Sequence, residues 1–288
     1  MRVARCAMLA AAAFSSGCER AVPAKFSAPA AALHEPVADV YLVSNARPDG
    51  APGYLVAVSP EDGERRMWAD GAAPDVELVR PAGMALVGDV LWVADGAALR
   101  RFDRRTGAQL ASVPVDGAAH LVDVAAGPGG AVYACDAGLD AGGRATGTDA
   151  IWRVGENGVV TVLARGPELA QPTSLTARAA GVYVVGARDG SFYEVDYRGA
   201  RTELARAPQP GLRGLVRVEP PAGSGAGARA VYFATSWDGA AVYRFGLTGS
   251  GAALPVRVEQ PGRLGYDALR RRLIVPLVGA SMLHVEAL

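Results

Sequence analysis

The feature that most restricts this chain is a repeat whose units contain no run long enough for a helix. Arg80–Val115 is one complete copy. It reads as an apolar run around Gly83, then Val90–Ala94, then Ala98–Asp103, then Gln109–Val115. Between the runs stand Val-Gly-Asp, Asp-Gly and Arg-Arg-Thr-Gly, residues that suit tight turns. Short runs rich in Val, Leu, Trp and Phe favour a pleated surface over a helix. Four antiparallel strands joined by tight turns make one blade of a β-propeller.

The pattern returns along the chain, which is the test of a repeat. With Gly83 as the marker of the innermost strand, its counterparts are Asp123, Ser174, Gly214 and Gly265, at successive intervals of 40, 51, 40 and 51 residues. The two long intervals hold two loops, Asp136–Asp149 and Pro220–Arg229. Second strands are expected at Val90–Ala94, Ala131–Cys135, Gly181–Gly186, Ala230–Thr235 and Arg272–Leu277, and third strands at Ala98–Asp103, Ile151–Val154, Ser191–Asp196, Ala241–Phe245 and Met282–Val285. An earlier copy, Asp39–Asp70, offers Val40–Ser44, Tyr54–Ser59 and Arg65–Trp68 but no clear innermost strand. The expectation is an all-β, six-bladed propeller of four-stranded antiparallel blades over 37–288. Its first and last blades look incomplete, and an N-terminal strand should close the seam so that the ring has no free edge.

Composition agrees and narrows the function. The 288 residues suit one all-β domain, and 36 Gly with 19 Pro match frequent turns. Formal net charge is 0 with no basic block, which gives no reason to expect nucleic acid. No apolar stretch reaches the length of a membrane span. Arg2 and Arg5 followed by the short apolar run Cys6–Phe14 read as an export signal over 1–17. Ser15-Ser16-Gly17-Cys18 resembles the bacterial lipobox, with Ser15 where Leu is usual, so Cys18 is the expected lipidation point, with ordinary cleaved secretion as the alternative. Residues 18–36, rich in Ala and Pro, read as a flexible tether. The chain is then an exported monomer on the periplasmic or outer surface, held to the membrane only by its lipid. Its partner would be a small molecule or an envelope protein. Cys135 reads as a small buried hydrophobe.

In a propeller the innermost strands converge on an axial channel, so chemistry is sought at the marker and just before it. Most of these positions are small. Asp123 and Arg213 are the exceptions, and they could form an axial salt bridge or contact an anionic or polar ligand. Asp136, Asp140 and Asp149 share a Gly-rich loop without the spacing of a calcium site. His34, His120 and His284 are scattered, with His120 at the mouth of an inner strand, so no histidine cluster supports zinc. Gly155–Gly158 reads as a hairpin turn, and Trp237 as a turn residue or a binding anchor.

The strings Pro81-Ala-Gly-Met-Ala-Leu, Asp123-Val-Ala-Ala-Gly-Pro-Gly-Gly-Ala-Val-Tyr and Leu264-Gly-Tyr-Asp-Ala-Leu resemble NHL-type propellers and the gluconolactonase/regucalcin superfamily, which includes strictosidine synthase-like proteins. The lactonases among them hold a divalent cation on the axis with Glu, Asn and Asp. Carried over by that resemblance, the Glu has only Glu35 as a candidate, without the Gly of the family's Glu-Gly-Pro. The Asn position holds Thr173, the Asp position holds Arg213, and the substrate-side Asn-Asp pair keeps only Asp123. An arginine in place of a carboxylate ligand repels a dication by roughly 4 kcal/mol per unit pair of charges at about 4 Å. The expected protein is therefore a binding or scaffold module without a metal cofactor. Its candidate ligand residues are Asp123, Arg213, Thr173, His120 and Glu35. The alternative is a lactonase-like enzyme with a rebuilt axial site and one divalent cation such as Ca or Zn.

Overall fold

The computed structural model describes residues 25–47, 49–140, 142–221, 223–225 and 227–288. The stretch read as an export signal, 1–17, and Cys18 lie outside the described residues. What is described is a ring of six blades. Blade 1 comprises Pro29–Glu35, Val40–Asn45, Tyr54–Val58 and Arg65–Asp70. Blade 2 comprises Pro81–Val87, Val90–Asp95, Ala98–Asp103 and Gln109–Pro114. Blade 3 follows with Leu121–Ala126, Val132–Asp136, Ala150–Val154 and Val160–Arg165. Blade 4 has Pro172–Ala177, Gly181–Gly186, Ser191–Asp196 and Arg201–Arg206, and blade 5 has Leu212–Val218, Val231–Ser236, Ala241–Phe245 and Ala252–Arg257. Blade 6 has three strands among the described residues, Gly265–Asp267, Arg272–Leu277 and Met282–Ala287. Strand order within each blade follows the sequence and neighbours are antiparallel, except that Gly249–Ser250 adds in parallel to the outer edge of blade 4.

Burial explains why the strands read as they do. Second strands are sandwiched between blades, so Val40–Asn45 and Gly181–Gly186 are buried on both faces. Outer strands meet solvent on one face, and Gln109–Pro114 alternates accordingly. The core is not one globule but a set of layers, one at each blade interface. Trp92, Leu99, Leu121 and Trp152 fill the layer between blades 2 and 3, and Tyr183, Phe192, Tyr232 and Phe245 fill that between blades 4 and 5. Each such side chain stabilises by about 1.5–3 kcal/mol when fully buried.

The N-terminal side differs from expectation. Pro29–Glu35, inside the stretch read as a tether, is the innermost strand of blade 1, so the ring begins before residue 37. It pairs with Val40–Asn45, and Ser44 Oγ accepts the Ala31 N–H at 3.1 Å. An N-terminal strand does complete a blade at the seam, but from the inside of blade 1.

The seam between blades 6 and 1 is closed at both ends of the inner strands. At one end Arg263 N–H donates to Ala30 O (2.9 Å) and Ala32 N–H donates to Arg263 O (3.0 Å). At the other end Arg270 reaches from blade 6 to Asp39 (2.7 Å) and Glu61 (2.6 Å) of blade 1, while Tyr41 OH donates to Asp267 at 2.8 Å. Phe26, Tyr41, Tyr54 and Ile274 fill the layer between.

Candidate functional site

The axial positions follow from the register of the inner strands. The third residue of each first strand is Ala31, Gly83, Asp123, Ser174 and Gly214 in blades 1 to 5, and blade 6 offers Gly265. Six strands converging leave little room. A Cβ on Gly83 would stand 1.8 Å from Asp123 Oδ1, and one on Gly214 would stand 2.6 Å from the Leu264 nitrogen. Asp123 therefore fits because its neighbour in the adjacent blade, Gly83, has no side chain.

The Asp123 carboxylate is already occupied. Oδ2 accepts the Ser174 hydroxyl and, at 3.2 Å, the Leu175 N–H of blade 4. Ser174 Oγ in turn accepts the Leu215 N–H of blade 5 at 2.9 Å, so one chain of hydrogen bonds ties three blades together. Burial raises the Asp123 pKa, and Arg263 opposes that shift.

Arg263 is a residue that sequence reasoning missed. It is buried, with Nε donating to the Thr173 carbonyl at 3.1 Å. Burial also lowers its pKa, with Asp123 opposing. Aligned on Gly265, Arg263 falls at the first position of the inner strand, where blades 1 to 5 carry Pro or Leu. The strand proper starts only at Gly265, and the irregular stretch before it turns Arg263 inward. A basic residue in a slot otherwise held by Pro or Leu was the available signal.

Thr173 has no free hydroxyl. Its Oγ1 donates to Leu212 O at 2.6 Å, so its part at the axis is to hold Arg263 through its carbonyl. Arg213 is different. Its guanidinium lies 4.9 Å from the centre of the Trp237 ring, and its buried Nε has no hydrogen-bond partner among the described residues. Burial first, and then the nearby charge of Arg263, bring its pKa down to about 10, so it remains a cation at neutral pH. His120 stands at the same end of the inner strands. Burial, with Arg80 and Arg263, holds its pKa down to about 4, which makes it neutral at pH 7.

The structure thus brings Asp123, Thr173, Arg213 and His120 to one end of the axis and adds Arg263 and Arg80. It does not bring Glu35 there. Glu35 is the seventh residue of its strand, at the opposite end, where it accepts the Val37 and Ala38 N–H groups at 3.2 and 2.5 Å and pairs with Arg104 of blade 2. Despite burial, those partners hold its pKa below the usual carboxylate range. Glu35 is excluded from the axial set because it stands four residues beyond Ala31, the axial position of its own strand.

The remaining acidic candidates are structural. Asp136 accepts from the Ala119 and Gly138 N–H groups (2.6 and 2.8 Å), and Asp149 from the Gln171 N–H (2.8 Å). No group of three His, Cys, Asp or Glu among the described residues could hold a metal ion. Cys135 is fully buried, and burial pushes its thiol pKa well up. It stands next to last in the second strand, the position of Ser44 and Thr235 in blades 1 and 5. Those two hydroxyls bond to Ala82 O (2.7 Å) and Gly262 O (2.8 Å) of the next blade.

A groove of about 840 Å³ opens beside Arg213 on the same face, between blades 5 and 6. Trp237, Asp238, Ala240, Gln260, Leu277 and Gly279 are among the residues that line it. Its walls are fixed by backbone bonds, Trp237 N–H to Gly211 O (2.8 Å), Val258 N–H to Ala240 O (2.9 Å) and Val278 N–H to Gln260 O (3.0 Å).

No protein-family model and no curated protein sequence matches the chain. Solved structures do match its fold. An auxiliary nutrient binding protein from Bacteroides ovatus aligns with a TM-score of 0.68 at 12% identity, over 91% of this chain and 70% of that one. A gluconolactonase from Xanthomonas campestris aligns with a TM-score of 0.63 at 17% identity, over 87% and 84%. Virginiamycin B lyase from Staphylococcus aureus gives 0.58 at 12% identity, over 91% and 95%. The shared property is the six-bladed ring, including that of gluconolactonase-like propellers. At these identities the likeness is one of fold.

Proposed function

We propose that this chain is an exported ligand-binding propeller that captures a small anion at the axial mouth formed by Arg213, Arg263, Arg80 and His120. The observation that carries the reading is Arg213. It is a largely buried guanidinium with an unpartnered Nε, next to a second buried arginine, Arg263, whose facing carboxylate, Asp123, already has its hydrogen-bond donors. Asp238 is an opposing charge near Arg213 but makes no hydrogen bond to its Nε, so an anionic ligand would further relieve the cost of burying this cation. Charge-assisted bonds from a guanidinium to a carboxylate or phosphate are among the stronger polar contacts available to a protein.

Two further supports are independent of the axis. The residues of 1–18 have the pattern of an export signal with lipidation at Cys18, which would place the ring in the envelope. Similar folds include proteins named as auxiliary nutrient binding proteins, a role of capture. The lactonase-like alternative needs a carboxylate from blade 1 on the axis, and Glu35 is bound to Arg104 at the other face.

The test is a thermal-shift panel of organic and inorganic anions against calcium, zinc and manganese. A ligand at 100 times its dissociation constant adds about 2.7 kcal/mol, which is readily seen. At least one anion should raise the melting temperature of the wild type and lose that effect in Arg213→Gln. Stabilisation by the divalent ions alone, or an anion response unchanged in Arg213→Gln, would overturn the reading.

A further inference from the structure

Resting on that anion-binding reading, the geometry points to a more specific ligand: a monocarboxylate with a ring-shaped body, its acid group on Arg213 and its ring against Trp237 in the groove between blades 5 and 6. The groove and the unpaired guanidinium are contiguous, because Trp237 belongs to both. Its ring lies 4.9 Å from the Arg213 guanidinium, and Trp237 is one of the residues lining the 840 Å³ space. A ligand whose acid reached Arg213 would have to lay the rest of itself along that wall.

The lining determines what the rest can be. Trp237, Ala240, Leu277 and Gly279 offer an aromatic plane and small or apolar surfaces. Flat aromatic walls favour ring-shaped ligands, which stack at offset geometry and lose little conformational freedom on binding. Asp238 and Glu259 stand on the same walls, and Glu259 is already paired with Arg257 at 3.1 Å. Asp238 remains as a negative charge at the rim, close to Arg213. A second negative charge on the ligand body would meet it, so the body should be uncharged.

Binding of benzoate, cyclohexanecarboxylate, benzamide, acetate and inorganic phosphate to the full-length exported protein, followed by calorimetry, tests this. Benzoate and cyclohexanecarboxylate should bind at least about tenfold more tightly than benzamide or acetate, a difference of about 1.4 kcal/mol. Arg213→Gln should erase the preference for benzoate over benzamide. Trp237→Ala should erase the preference for benzoate over acetate while keeping that for acid over amide, and Trp237→Phe should restore the ring preference. Because these variants are compared by ratios of ligands on one protein, a partial loss of fold cannot imitate the pattern. If acetate and phosphate bind as tightly as benzoate and lose binding in Arg213→Gln, the axial anion site stands and the ring-acid proposal is overturned. If neither ring acid binds at about 10 mM, or benzamide equals benzoate, the proposal is also overturned.

Discussion

Gly83→Ala puts one methyl group where two inner strands touch, and its cost can be worked from the contact. The added Cβ would lie 1.8 Å from Asp123 Oδ1 and 2.6 Å from Asp123 Cα. Carbon atoms sit comfortably at about 3.5 Å, so blades 2 and 3 would have to part locally by about 0.9 Å. The carboxylate cannot simply swing away, because Ser174 and the Leu175 N–H hold it. Overpacking of a tight core costs about 1–3 kcal/mol, and a clash with backbone belongs at the upper end. At about 2–4 °C per kcal/mol, a cost near 3 kcal/mol lowers the melting temperature by roughly 6–12 °C. The matched control is Gly225→Ala, where an added Cβ meets nothing within 4 Å. Thermal melts followed by circular dichroism would compare the two. In an Asp123→Ala background the penalty of Gly83→Ala should shrink without vanishing, since the 2.6 Å backbone contact remains. A Gly83→Ala protein that melts within about 1 °C of the Gly225→Ala control would refute the close approach of the strands at the axis.

Three other predictions follow from the same contacts. Asp123→Ala leaves Arg263 without its facing charge and the Leu175 N–H without an acceptor, so urea denaturation should show a loss of about 3–5 kcal/mol, and Asp123→Asn a smaller one. At the seam, Arg270 holds the Asp39 pKa below its ordinary value. Asp267 is held low as well, against the effect of its burial, by hydrogen bonds from the Arg270 N–H and Tyr41. Depressed carboxyl pKa values give stability that is complete above about pH 4 and lost as pH falls through the folded values. Arg270→Ala should therefore melt lower at pH 7 and show a shallower further loss in acid, and parallel acid profiles for the two proteins would contradict this. Finally, the wild-type melting temperature should be indifferent to calcium in the same thermal-shift assay. A calcium-stabilised wild type would reverse the assignment of the axis.

The repeat made most of the fold readable. Strands such as Gly181–Gly186, Ser191–Asp196, Ala241–Phe245 and Arg272–Leu277 announce themselves through β-branched and aromatic residues between turn signals, and the observed limits coincide with those read. Pro29–Glu35 did not, because Pro-Ala-Ala-Ala-Leu-His-Glu has neither alternation nor branching. It is a strand through its neighbours, its backbone being paired on one side with blade 1 and bridged on the other to Arg263. At the axis, Asp123 and Arg213 stood out as charges among small residues. Arg263 was missed because it stands two residues before its marker, in a slot held by Pro or Leu in the other blades, and is turned inward by the irregular stretch before Gly265. Glu35 was misplaced by the opposite error, proximity in sequence to a motif without the register to carry it there.

The closure between the last blade and the first also sets an order of events during synthesis. Tyr41 and Asp39 find Asp267 and Arg270 across separations of 226 and 231 residues. At about 5–20 residues per second, a ribosome needs roughly 10–45 s to deliver those partners. Five of the interblade layers can assemble one after another as the chain emerges. The sixth cannot, and for that interval the first blade keeps the aromatic face of Tyr41 and Tyr54 open to whatever else is nearby. An exported chain held unfolded until translocation would escape this wait, since both sides of the seam would then be present before either begins to fold.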